Sequence, residues 1–116
     1  FVSAYRKHTT GEQFDVHVEY LAAPDLTNKT LIIIDQMLAT GSSMVLVYKA
    51  LLTNGKPKQV IIAVASAAPE AIEYVRKTLP DNLKIVVGAI DKELTAQSYI
   101  VPGIGDAGDL AYGSKL

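Results

Sequence analysis

The apolar run at residues 31–34, a leucine followed by three isoleucines, limits what this chain can fold into more than any other feature of the sequence. Strands with one wet face alternate apolar and polar residues, so an unbroken run predicts a strand covered on both faces. We expect this strand to end at Asp35, before a loop of small residues that opens a helix. Small side chains let backbone N–H groups approach an anion, and the helix adds the positive end of its dipole. The segment is a candidate phosphate cradle, a name that we use for Ala39, Thr40, Gly41, Ser42 and Ser43.

The composition is that of one globular domain, with 116 residues, 49% of them apolar, and a formal net charge of −1. Since no block of like charges occurs, nothing indicates a nucleic-acid partner. The lack of cysteine excludes disulfides, thiolate catalysis and cysteine metal sites. No apolar run approaches the ~20 residues of a membrane helix, and no signal-like stretch opens the chain. We therefore expect no membrane partner and a cytoplasmic location.

Residues 14–20 alternate apolar and polar side chains, which is the period of a half-exposed strand. A polar turn around Gly11 precedes them, and residues 1–5 are typical of a further strand. Two strands joined by a short polar loop predict a hairpin or flap at the edge of a sheet. Because the chain opens directly on a strand, we expect it to begin inside a domain. His8 and His17 are expected to be exposed on this flap, and neither is a candidate catalyst.

The rest of the chain alternates strands and helices. We expect a helix over residues 43–53, a buried strand over 60–65, a helix that begins at Pro69 and ends at 80–82, and a third buried strand over 83–87. Strand, helix, strand, helix, strand is the order of a parallel α/β sheet with right-handed crossovers. The predicted fold class is therefore α/β.

Three interpretations of Asp35 and the phosphate cradle stay open on local pattern alone. The first is an ordinary turn between a strand and a helix, where Asp and small residues are common. The second is a phosphoacceptor aspartate, although no other acids cluster nearby to hold magnesium. The third is a ribose-phosphate site, with Asp35 on the ribose hydroxyls and the cradle on a terminal phosphate. The loop is not a P-loop, because the terminal Gly-Lys-Ser/Thr of that motif is absent.

A second unusual segment follows residue 88, where residues 99–109 combine three glycines with two aspartates. We call it the hood loop and expect it to lie outside the core. In one interpretation it is a structural C-terminal loop anchored by Tyr99 and Ile100. In the other, the amides of Gly103 and Gly105 bind a flat heterocycle, while an aspartate (Asp106 or Asp109) meets a hydroxyl or a magnesium ion.

Taken together, residues 35–43 and 99–109 resemble the uracil phosphoribosyltransferase family. The resemblance extends over nearly the whole chain, including residues 67–70 and 90–94. Members of the family are near twice this length, so residues 1–116 resemble the C-terminal part of a single phosphoribosyltransferase domain, truncated at its N-terminus. The fold implied is a parallel sheet flanked by helices, with a β flap and a C-terminal hood loop.

The resemblance implies transfer of ribose 5-phosphate from phosphoribosyl diphosphate to uracil, giving UMP and diphosphate, with Mg²⁺, in pyrimidine salvage. We also expect a homo-oligomer. It implies that Asp35 binds the ribose and that the phosphate cradle binds the 5-phosphate. It also implies that Arg6 reaches the diphosphate. The implied uracil-binding residues are Tyr99, Ile100, Gly105 and Asp106, with main-chain groups of Ile100 and Gly105 on the base and with Asp106 also at the metal.

Four positions depart from the family pattern. The family commonly has proline at Gln36, a second glycine at Ser42, asparagine at Thr95 and a basic residue at Leu110. Ser42 is acceptable in the phosphate cradle only if its φ is negative. An alternative to the enzyme is a non-catalytic module of the same fold that binds a nucleotide for regulation or assembly. We expect these residues alone to turn over little or no substrate, and the missing strands to leave an exposed apolar edge.

Overall fold

The computed structural model describes residues 2–8 and 14–114 and has the predicted α/β architecture. Its three-stranded sheet is parallel, with the order β3-β4-β5, and two antiparallel hairpins, β1-β2 and β6-β7, accompany it. The elements in chain order are β1 Val2–His8, β2 Phe14–Leu21, β3 Thr30–Leu38, α1 Ser42–Leu51, β4 Gln59–Ala67, α2 Pro69–Thr78, β5 Leu83–Ile90, β6 Glu93–Leu94, β7 Ile100–Val101 and α3 Ala107–Tyr112.

The sheet strands are longer than predicted. β3 does not end at Asp35, because its pairing with β4 continues to Leu38, which lies opposite Ala67. The Ala68 N–H then donates to the Leu38 carbonyl oxygen at 3.0 Å. β5 likewise continues to Ile90. Asp35 therefore lies within the strand, and the loop is confined to the three residues before α1.

The core lies between the sheet and the two longer helices. Both crossovers step in the same direction along the sheet, and right-handed connections then place both helices on one face. Val60 and Ile62 of the central strand are fully buried there. They belong to one cluster with Val45 of α1 and Val75 of α2. The phosphate cradle is thus attached to the best-packed part of the molecule.

The opposite face of the sheet is exposed within the described residues. Leu31 and Ile33 pack against the core, whereas Ile32 and Ile34 are 57% and 78% exposed. Val86 of β5 is 51% exposed. The prediction that β3 is covered on both faces is therefore wrong for this chain, because no described layer packs on its second face. We call Ile32, Ile34 and Val86 the open face. The exposed apolar residues expected at an edge of the sheet thus lie on its uncovered face.

The predicted flap is present as the hairpin β1-β2, which pairs Val2 with Leu21 and His8 with Phe14. The hairpin forms a separate two-stranded sheet beside α1. The sequence predicts it at the edge of a sheet, but it pairs with no described strand of the parallel sheet. The turn predicted around Gly11 and the first residue of the predicted strand, Phe1, lie outside the described residues. In the part of the chain that is described, no helix is long and apolar enough to cross a membrane.

The hood loop contains regular secondary structure. Ile100 and Val101 form β7, and α3 begins at Ala107. Ile100 is only 3% exposed, so the expectation that this segment contributes nothing to the buried interior is wrong at that residue. Tyr99 is 42% exposed, which leaves Ile100 as the principal anchor.

Candidate functional site

Two of the predicted site segments, the phosphate cradle and the hood loop, lie at the carboxyl edge of the parallel sheet. Leu38, Ala67 and Ile90, at the ends of the three strands, lie side by side in the pairing register. Ligands of open α/β sheets bind outside this edge, because loops from neighbouring strands meet there. The phosphate cradle follows β3, and the segment that leads to the hood loop follows β5.

Gly41 shapes the phosphate cradle, and any side chain at this position would be strained and tightly packed. Its φ is +81°, in the left-handed region, and a Cβ on it would lie 3.0 Å from Cγ2 of Val75 and 3.2 Å from the Ala71 carbonyl oxygen. The first helical bond of α1 runs from Val45 N–H to the Gly41 carbonyl oxygen at 3.1 Å, and no side chain caps the helix. The amides before Val45 thus point out of the helix end, where an anion can accept from them.

Two hydroxyls lie at the mouth of the phosphate cradle. The side-chain oxygens of Thr40 and Ser42 are 2.9 Å apart, and Ser42 N–H donates to Thr40 Oγ1 at 3.4 Å. Ser42 is the first residue of α1, and the described non-glycine residues with positive φ are Asn28 and Ser98. The condition for a serine at this position is therefore met.

Asp35 lies close to the phosphate cradle. Alternation along β3 places Asp35 on the same side as Leu31 and Ile33, toward the helices. Asp35 and Ser43 line one cleft of about 890 Å³ beside α1. The Asp35 side chain is exposed, and its Oδ1 accepts the N–H of Gln36 at 2.8 Å. The ribose-phosphate interpretation of this segment stays a prediction.

The hood loop starts from a tight hairpin. The Thr95 hydroxyl accepts the N–H of Tyr99 at 3.1 Å, and Lys92 N–H donates to the Val101 carbonyl oxygen at 3.0 Å. Threonine at residue 95 thus supplies a side-chain oxygen acceptor, which the asparagine common in the family also carries. Gly103 has a φ of +52°, and a Cβ on it would collide with the Ile100 carbonyl oxygen. Only glycine fits at that point of the loop.

The end of the hood loop leads into α3. Asp106 is the N-cap of this helix, and its Oδ1 accepts the N–H of Asp109 at 2.8 Å. That bond orients the half-buried carboxylate. Leu110, where the family commonly has a basic residue, is 70% exposed.

Asp91 is a residue of this edge that sequence reasoning missed. It directly follows β5, and its Oδ2 accepts the Ser66 hydroxyl at 2.9 Å and the Gly103 N–H at 3.2 Å. No clear signal for it exists in the sequence, because the predicted strand ends at residue 87 and only the structure extends β5 to Ile90. The backbone of Arg6 pairs with Val16 in the flap, and its side chain lies outside the described part. Its role at the diphosphate stays a prediction, as do the roles of the other predicted site residues.

A parallel sheet with a glycine-containing phosphate cradle and a hood loop at one edge is the architecture expected of a phosphoribosyltransferase. Comparison with known proteins makes this specific, because the family model "Uracil phosphoribosyltransferase" matches residues 2–114. The chain belongs to the uracil phosphoribosyltransferase family.

Individual relatives agree. A uracil phosphoribosyltransferase of Porphyromonas gingivalis is 60% identical over 116 residues, which are 100% of this chain and 54% of that protein. One from Methanococcus vannielii is 43% identical over 99% of this chain and 49% of the relative. The solved AQ2163 protein of Aquifex aeolicus superimposes with a TM-score of 0.86 at 33% identity, over 97% of this chain and 52% of its own. The chain spans about half the length of the curated relatives it matches, and its place as the C-terminal part of one domain stays a prediction.

Proposed function

We propose that a full-length protein carrying this chain, by which we mean a polypeptide of the relatives' length, transfers ribose 5-phosphate from phosphoribosyl diphosphate to uracil. The products are UMP and diphosphate, and the reaction class is pentosyl transfer in pyrimidine salvage. The observation that carries the proposal is the position of the phosphate cradle and the hood loop at one edge of the sheet, in a chain of this family.

The phosphate cradle and Asp35 support binding of the ribose 5-phosphate part of both substrate and product. Amides at the start of α1 and the hydroxyls of Thr40 and Ser42 are donors suited to a phosphate dianion. The Asp35 carboxylate is an acceptor suited to the two ribose hydroxyls. Since Asp35 and Ser43 line one cleft, a sugar phosphate can reach both.

Main-chain groups of the hood loop are suited to the base. Uracil alternates carbonyl and N–H groups along one edge, so a backbone N–H and a backbone carbonyl in fixed register match it. In the proposal these come from Gly105 and Ile100. Cytosine carries an amino group where uracil has a carbonyl, and it would leave one of these backbone groups unpaired. Base specificity then requires no charged side chain.

The chemistry requires positioning more than a protein nucleophile. The bond from the anomeric carbon to the diphosphate oxygen breaks, the bond to N1 of uracil forms, and the N1 proton is lost. Positive charge develops at the anomeric carbon while negative charge develops on the leaving group. Holding the sugar at Asp35 and the phosphate cradle, with the base under the hood loop, aligns the two reacting atoms. Arg6 is proposed to contact the diphosphate.

Magnesium belongs to the same proposal, because diphosphate is the leaving group. Mg²⁺ commonly takes one or two protein carboxylates and completes its shell with phosphate oxygens and water. Asp106 suits that role, because its N-cap bond to Asp109 orients a half-buried carboxylate. Within residues 2–8 and 14–114 no group of three His, Cys, Asp or Glu side chains could hold an ion. When bound, the ion neutralises charge on the departing diphosphate.

Two further features are proposed on chemical grounds. A cytoplasmic location is proposed because phosphoribosyl diphosphate is too highly charged to cross a membrane unaided. A homo-oligomer of the 116-residue chain is proposed because the open face and the outer edge of β3 offer apolar surface and backbone groups for association.

The decisive assay follows UMP formation from uracil and phosphoribosyl diphosphate with Mg²⁺, first by the full-length protein and then by the 116-residue chain. We expect turnover by the former and little or none by the latter. Cytosine in place of uracil is the matched substrate control. A full-length protein that binds UMP normally but forms none would refute the enzyme and leave the nucleotide-binding module.

A further inference from the structure

Asp91 joins two parts of the site that are far apart in sequence. A single oxygen, Oδ2, accepts the Ser66 hydroxyl of β4 at 2.9 Å and the Gly103 N–H of the hood loop at 3.2 Å. The Asp91 N–H donates to the Ala67 carbonyl oxygen at 3.0 Å, which continues the β4–β5 ladder by one residue. The carboxylate is thus fixed at the sheet edge and extends to the hood loop.

The surroundings make this contact more rigid than an ordinary surface bond. Ser66 is 5% exposed, and its hydroxyl has a fixed place at the end of the central strand. Hydrogen bonds to an ionised carboxylate are stronger than bonds between neutral groups. At the other end, Gly103 lies in a turn so tight that no side chain fits. A displacement of Asp91 therefore strains or breaks the side-chain bond that holds the Gly103 amide.

We propose that Asp91 is a positioning residue that fixes the distance of the hood loop from the edge of the sheet, and with it the position of the loop over the base. The proposal rests on the proposed function, in which Gly105, two residues after Gly103, donates to the base. Loss of the Asp91 carboxylate frees the Gly103 amide, and the backbone groups that read uracil lose their fixed distance from the sheet.

The same geometry predicts which part of the ligand is affected. The phosphate cradle is held by β3, by α1 and by the contact of Gly41 with α2. The two side-chain bonds of Asp91 go to β4 and to the hood loop only. Its loss should therefore weaken recognition of the base and leave recognition of the sugar phosphate unchanged.

Three variants of the full-length protein separate the contributions. Asp91→Ala removes both bonds. Asp91→Asn is the conservative variant, because its amide oxygen can accept from both donors at the place of Oδ2. Ser66→Ala removes only the bond to β4. Asp81→Ala, an exposed carboxylate in the turn before β5, is the matched control.

Calorimetry with UMP and with ribose 5-phosphate is the measurement, together with the Michaelis constants for uracil and for phosphoribosyl diphosphate. For Asp91→Ala we expect about tenfold weaker UMP binding and a similar rise in the uracil constant, with ribose 5-phosphate binding and the phosphoribosyl diphosphate constant within about twofold. Asp91→Asn should recover most of the loss, Ser66→Ala should lie between the two, and Asp81→Ala should match the parent protein.

Amide hydrogen exchange supplies a readout that requires no ligand. The Gly103 amide should exchange faster in Asp91→Ala than in Asp91→Asn, while amides of β4 keep their protection. Equal losses for UMP and ribose 5-phosphate, or no loss for either, would overturn the positioning role in a protein that forms UMP. A parent protein that forms no UMP overturns the proposed function itself, which distinguishes the two failures.

Discussion

The hydroxyl oxygens of Thr40 and Ser42 lie 2.9 Å apart across the turn that opens α1. The serine that replaces the family's usual glycine thus adds a second donor beside the first. Because one of these hydroxyls donates to the other, a phosphate in the phosphate cradle can accept from both only when this bond breaks, so we expect the two residues to act as one unit.

The effects of substitutions at Thr40 and Ser42 on the free energy of UMP binding should not be additive. Thr40→Val is expected to weaken UMP binding by the full-length protein about tenfold, because it removes a donor to a charged group. Ser42→Ala should cost less, and the double variant should differ from the sum by about 1 kcal/mol. The measurement is a calorimetric double-mutant cycle with UMP. Thr78→Val is the control, because the Thr78 hydroxyl donates to the Tyr74 carbonyl oxygen at 2.7 Å. Strictly additive effects of the Thr40 and Ser42 substitutions would contradict the shared role.

Gly41 and Gly113 test what the tight packing of the phosphate cradle contributes. Both have positive φ, +81° and +90°, but a Cβ meets α2 atoms at Gly41 and nothing within 4 Å at Gly113. Gly113, with ψ 168°, is in a region that is almost exclusive to glycine, and it lies at the exposed end of α3. Gly113→Ala should therefore lower the free energy of unfolding by about 1 kcal/mol, the lower end of the cost of such a conformation. Gly41→Ala should lower it by about 3 kcal/mol, because α1 and α2 must also move apart. Urea unfolding of both variants measures the difference, and equal losses would contradict the contact.

Tyr48 makes stability depend on pH in the alkaline range. Burial raises the pKa of Tyr48, so the folded chain holds the phenolic proton more tightly than the unfolded chain. The stabilisation is complete below the unfolded pKa of about 10 and is lost as the pH rises through the folded pKa. Tyr48→Phe should therefore make the loss of unfolding free energy between about pH 9 and 11 shallower. Tyr112→Phe, at a residue that is 93% exposed, is the comparison variant, and parallel curves for the two variants would contradict the assignment.

The open face should make the 116-residue chain self-associate. Ile34 is 78% exposed on a strand whose outer edge pairs with no described strand. Apolar surface beside unpaired backbone groups is a template for association. Ile34→Lys should shift the sedimentation profile toward monomer, and Tyr112→Lys, which changes an isolated exposed residue, should not. A parent chain that is monomeric at high concentration would contradict this account.

The sequence predicted the order of strands and helices but not the residues at which they end. Apolar runs identified β3, β4 and β5, and the order of elements was sufficient for a parallel sheet. The polar residues Asp35 and Gln36 concealed the last paired residues of β3, because the end of a strand depends on the neighbouring strand as well as on its own sequence. The exposure of Ile32 and Ile34 also escaped prediction, since an apolar run does not reveal which layers are present to cover it.

The site was predictable where its residues are adjacent in sequence and unpredictable where they are not. The phosphate cradle is one short segment, and its small residues were sufficient to indicate it. Asp91 meets Ser66 across 25 residues of chain and Gly103 across 12, so its role appears only when the sheet brings them together. Glycine at residue 41 is compatible with a left-handed conformation, and this can be expected from the sequence. The closeness of Gly41 to Val75 is visible only in the folded structure.

The central claim is that the phosphate cradle and the hood loop bind one ligand, and calorimetric titration of the full-length protein with UMP tests it most directly. The account predicts that Thr40→Val and Asp106→Ala each weaken UMP binding by about tenfold, while ribose 5-phosphate loses affinity only with the first. UMP binding that is indifferent to both substitutions would contradict it.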